Sequence, residues 1–131
     1  MLRFPRLPLL LVALMLVGAC SRHPKWAREP EWAAVRYVEM LQRGEYDAVV
    51  RSMLSCQDID ADYRELRLRL LRQMMEELPQ DSRPSAVEAT KAELQDSGRV
   101  AHVFLKLTFA DGRKENVVLP LCRHDGRWLL W

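Results

Sequence analysis

The sequence predicts an α+β domain with its helices first and an antiparallel β-meander after them. Three observations lead there. Apolar residues recur at helical spacing up to Leu78; the period becomes alternating after Pro84; and the second half is punctuated by Asp-Ser-Gly, Asp-Gly and Asp-Gly turn signals.

Residues 1 to 19 precede this domain and read as a cleaved signal peptide. Arg3 and Arg6 supply a charged start, an apolar run extends from Leu9 to Val17, and Gly18-Ala19 provides small residues at the cut. Between Pro8 and Cys20 the apolar stretch is about half of the roughly 20 residues a membrane span needs. Val17-Gly18-Ala19-Cys20 resembles the lipobox of bacterial lipoproteins. The resemblance implies that Cys20 is the acylated first residue of the mature chain, attached to the membrane through its lipid. With Ser21 next, and no aspartate there, the implied address is the periplasmic face of the outer membrane.

With Arg3 and Arg6 removed, the mature chain carries 18 basic against 18 acidic residues, so the apparent excess of positive charge vanishes. No nucleic-acid partner is expected. Lipid on Cys20 leaves Cys56 and Cys122 as an even pair in an oxidising compartment, where a disulfide between them is the expectation. Closing a loop of about 67 residues would add roughly 4 kcal/mol in the chain-entropy model. The alternative is two buried free thiols packed as small apolar groups.

Ser21 to Arg28, short and polar with Pro24, reads as a tether, so the domain runs from Glu29 to Trp131. Pro30 suits the first turn of a helix, with Glu29 and Glu31 near its positive end and Ala34, Tyr37, Val38 and Leu41 on one face. Gly44 is the expected stop. A second helix places Tyr46, Val49, Val50 and Met53 together. A third, from about Asp60 to Leu78 and ended by Pro79, aligns Tyr63, Leu66, Leu70, Met74 and Leu78, with Leu71 and Met75 beside them. Arg64, Arg67, Arg69 and Arg72 are interrupted by Glu65, Glu76 and Glu77 and read as a solvated face.

Ala86 to Leu94 is the first strand. Val100 to Phe109 follows with Ala101, Val103, Leu105, Leu107 and Phe109 on one side, then Asn116 to Arg123 and Arg127 to Trp131. Asp111-Gly112 and His124-Asp125-Gly126 are the tight turns. Pro120 lacks an amide proton and belongs where its strand is unpaired or bulged.

The polar residues give little chemistry. Asp58, Asp60 and Asp62 alternate like calcium-loop ligands, but Tyr63 and Arg69 occupy the positions needing glycine and glutamate, so a helix cap explains them better. Cys122 and His124 supply two ligands where zinc needs at least three. No cofactor, metal or catalytic residue is expected.

Gly44-Glu45-Tyr46-Asp47 between two short helices, a further helix, a meander and the closing Asp125-Gly126-Arg127-Trp128 resemble the NTF2-like superfamily. Within it, the pattern is similar to the DUF4878 group of envelope domains. The resemblance implies an NTF2-like/cystatin-like cone, a curved sheet wrapped around the helices with a pocket that serves binding, catalysis or dimerisation. It implies a lipid-anchored, non-enzymatic binding or interaction module that presents its sheet or pocket to an envelope protein or a small apolar ligand, or pairs as a homodimer. The enzymatic alternative would use His102 with Asp58 or Glu88, and a third reading is an accessory subunit of an envelope assembly complex.

Overall fold

A computed structural model describes residues 23–131; Cys20 and the segment read as a signal lie outside the described residues. Three helices, α1 (Pro30–Gln42), α2 (Tyr46–Arg51) and α3 (Ala61–Glu77), precede four strands, β1 (Pro84–Gln95), β2 (Val100–Phe109), β3 (Lys114–His124) and β4 (Arg127–Leu130). The strands form one antiparallel sheet in the order β1-β2-β3-β4, and α1 packs across it. Among the described residues no helix is long and apolar enough to cross a membrane.

The stretch expected to be a tether is partly folded. Lys25–Arg28 forms a 3-10 turn that packs against α1 and β4, buries Ala27 and sets the Trp26 ring edge-on to Tyr37 at 5.7 Å. Proline opens α1 as expected. Gly44 closes it with φ +73°: its amide donates to the Leu41 carbonyl and that of Glu45 to Met40, a paired closure that uses two of the last free carbonyls. Ala33, Ala34, Tyr37 and Met40 face the core. Val49 and Val50 of α2 join them, and Asp60 caps α3 by accepting the Tyr63 amide at 2.9 Å.

The buried face of α3 differs from expectation. Tyr63, Leu66, Leu70 and Met74 are 41 to 56 % exposed, whereas Leu71 is buried and Leu68 and Met75 are partly so. The apolar set spans more of the helix circumference than one neighbour covers, and the principal neighbour of α3 is α2. Its inward side is therefore the Leu68, Leu71 and Met75 edge.

In the sheet, Ala101, Val103, Leu105 and Phe109 are buried on the helix side, and Leu107 is half-buried. Register shifts in β1 lie between Pro84 and Ala86 and between Ala89 and Lys91. The two extra residues, Ser85 and Thr90, turn their hydroxyls onto the β2 carbonyls of Thr108 and Phe104. Such bulges bend a strand and increase its twist. At the β3–β4 turn Asp125 and Gly126 both have positive φ, as a two-residue hairpin turn of this hand requires. Pro120 pairs with His102 of β2 but lies beyond the end of β4, which stops opposite Leu121. Its strand is thus unpaired on the β4 side.

The disulfide expected between Cys56 and Cys122 is not found: both are free, buried thiols. Cys56 and Leu121 belong to the core cluster. Successive side chains on a strand point to opposite faces, so Cys122 faces away from that cluster, beside its cross-strand partners Val100 and Leu129. Burial pushes the Cys122 thiol pKa up and keeps it protonated.

Candidate functional site

The most apolar concavity lies between α1, the end of α3 and the sheet. Val38 and Leu41 come from α1, Met75 and Leu78 from α3 and its cap, Pro84 from β1 and Leu107 from β2, around about 280 Å³. That is near the small end of ordinary ligand sites. Helical spacing brings Val38 and Leu41 to one edge of α1, and strand alternation puts Leu107 on the helix side. Leu107 is only half-buried because the cleft, not another side chain, stands over it.

Two polar side chains frame this cleft. Gln42 donates to the Pro84 carbonyl at 2.6 Å, fastening α1 to the start of β1. Arg83 donates through Nη2 to the carbonyls of Met75 at 2.6 Å and Leu78 at 3.5 Å, satisfying the open end of α3. Its Nε is buried without a partner. Lining of this kind, mostly hydrocarbon with one cation at the rim, can hold an apolar molecule by burial and orient one polar end.

The residues of the enzymatic alternative are not brought together. His102 lies on the face of β2 away from the core, half-buried, with Nδ1 3.1 Å from Gln95 and with Glu93 and Pro120 as its cross-strand neighbours. Glu88 is on the same face but pairs with Lys106, four residues along β2 and so about 13 Å from His102. Asp58 borders a separate hollow with Arg51, Arg64 and Arg127. Among the described residues no three His, Cys, Asp or Glu side chains gather as metal ligands would. In the sequence Val38, Leu41, Met75, Leu78 and Leu107 read only as members of apolar faces, and the one signal that sets the cleft apart is Arg83, a cation between Pro79 and Pro84.

Among solved structures, a candidate NTF2-like transpeptidase from Campylobacter jejuni superposes with a TM-score of 0.62 at 13% identity, covering 78% of this chain and 96% of that one. The fold is NTF2-like. A SEC-C motif containing protein from Rhodopseudomonas palustris is also similar, with a TM-score of 0.52 at 16% identity over 79% of this chain and 76% of that one. No family model matches the chain and no curated protein does. Within this fold the cleft lies where side chains of α1 and the end of α3 meet the start of β1 and Leu107 of β2. A fold hosts many functions, so the site's chemistry has to choose among them.

Proposed function

We propose that this NTF2-like domain is a lipid-anchored, non-enzymatic binding module of the bacterial envelope, attached through Cys20 at the periplasmic face of the outer membrane, and that it takes a small apolar ligand in the cleft. The cleft carries this reading: six apolar side chains from two helices and two strands converge on it. Filling it would remove Leu107 and its neighbours from water at about 25 cal/mol per Å² of apolar surface. The separation of His102 from Asp58 and Glu88 supports binding over catalysis. The anchor rests on the lipobox residues of the sequence.

A neutral apolar fluorophore such as N-phenyl-1-naphthylamine tests the cleft. The full chain in mild detergent should give a saturable rise in emission. Leu107→Trp, which extends a larger side chain into the cleft from the sheet side, should abolish it without changing the far-ultraviolet circular dichroism. Equal binding by that variant would count against the cleft. For the anchor, an alkyne fatty acid fed to producing cells should label the wild type and not Cys20→Ser.

One observation favours the accessory-subunit reading instead. The exposed stripe of Tyr63, Leu66, Leu70 and Met74 on α3 is larger than scattered surface apolar residues require. A photocrosslinker at position 70 that captures the same envelope protein repeatedly, where one at Val118 captures none, would support that reading over ligand binding.

A further inference from the structure

On the helix-junction side of the molecule, away from the residues that line the apolar cleft, three arginines from three elements converge. Arg51 ends α2, Arg64 is in the first turn of α3 and Arg127 begins β4. With Cys56, Gln57 and Asp58 they line a polar hollow of about 310 Å³. We propose that this hollow is an anion-binding site for a phosphate-monoester group, distinct from the apolar cleft.

Arg64 and Arg127 have no carboxylate partner within ion-pair distance among the described residues, and Arg51 meets only Asp47, at 3.0 Å in an exposed surface pair worth little. Asp58 borders the hollow but pairs with none of the three. With Asp47 counted beside Asp58, three positive charges stand against two negative, so the hollow keeps a net positive charge and its complementary ligand is an anion. A phosphate monoester carries about −1.5 to −2 near neutral pH and presents three oxygens, which guanidinium groups meet in pairs.

Gln57 is locked from both sides: its Nε2 donates to the carbonyls of Arg51 at 2.8 Å and Met53 at 2.9 Å, which leaves Oε1 to accept Arg127 Nη2 at 2.9 Å. That chain of bonds fixes the half-buried Arg127 side chain in one orientation. Its Nε is nevertheless buried with no partner. A nitrogen with no accessible surface is out of reach of a ligand, so Arg127 would act through the part of its guanidinium that lines the hollow, held in place by Gln57. Arg64 donates one long bond, 3.5 Å to the Ile59 carbonyl, so its remaining protons are free to turn toward the same ligand. The volume exceeds that of a single water several-fold, enough for the anion and part of the group that bears it.

Calorimetric titration of the full chain in non-ionic detergent tests this, with inorganic phosphate, phenyl phosphate and succinate as probes. Phenyl phosphate should bind saturably at millimolar concentration or below, more tightly than succinate, and more weakly as salt is raised. Inorganic phosphate binding equally well would support the site and show that only the phosphate is recognised. Arg64→Met should weaken phenyl phosphate by about tenfold or more. Arg69→Met, outside the hollow on the same helix, should bind as the wild type does. Asp58→Asn should tighten binding, a gain that a purely structural role for these arginines does not produce. Arg127→Met is read alongside Arg64→Met because loss of the Gln57 bond can also loosen the fold. No saturable binding by the wild type, or unchanged binding by Arg64→Met, would overturn the proposal.

Discussion

Tyr37 shows how much of the fold one side chain can organise. Its hydroxyl donates to the Trp128 carbonyl, linking α1 to the last strand, and its ring meets Trp26 edge-on. Burial is the main cause of a raised phenol pKa, opposed by the Ser52 hydrogen bond and the positive field of Arg127. An upward shift means that the folded state holds the phenolic proton more tightly than the unfolded chain. This contribution is therefore level below the unfolded value of about 10, and stability declines as pH rises through and above it. Tyr37→Phe should lose about 1 to 3 kcal/mol at pH 7 by leaving the Trp128 carbonyl unpaired. Its alkaline decline should also be shallower than that of the wild type. Urea unfolding at pH 7 and at about pH 10.5 measures both, and parallel losses for the two proteins at the higher pH would exclude Tyr37 as the source.

At the scale of elements, α3 separates what pattern reveals from what it conceals. Its start at the Asp60 cap and its end before Pro79 are local chemistry, and both were legible in the residues. Which apolar edge turns inward depends on where α2 and the sheet stand, and no periodicity carries that information when the apolar set covers more than one face. Leu71→Ala should cost about 2 to 5 kcal/mol, whereas Leu70→Ala and Met74→Ala should fall within about 0.5 kcal/mol of the wild type. Denaturant midpoints will rank the three, and an equally damaging Leu70→Ala would mean that the outer stripe is covered. In β2 the period of two chose the core face without ambiguity, since neighbouring strands hold its register on both sides. The bulges at Ser85 and Thr90 gave no comparable signal. A hydroxyl that replaces a ladder bond looks, in sequence, like any serine or threonine in a strand.

For the molecule as a whole, cysteine arithmetic and packing gave opposite answers, and strand alternation explains why. Parity and compartment favoured a bridge, but Cys122 follows Leu121 on β3, and only one of two adjacent residues can face Cys56. Thiol labelling of the denatured, unreduced, acylated chain should therefore find two reactive thiols, Cys56 and Cys122, and reduction should not change its stability. Absence of labelling would restore the bridge. The candidate sites were the least legible feature. Arg51, Arg64 and Arg127 are scattered through the sequence and gather only because Gln57 and the α2–α3 junction pack against the start of β4.

That same strand has a consequence for the order of assembly. β4 brings Trp128 into the core, and the Leu130 amide bonds the Ser52 carbonyl beside Met53. The helices thus depend on residues made long after them. A chain emerging amino terminus first, from a ribosome or through a translocation channel, carries an unfinished core until its final strand is free. Such long-range closure is slow relative to helix formation, and the open intermediate exposes Val49, Val50 and Tyr37 to whatever chaperone or membrane surface is near.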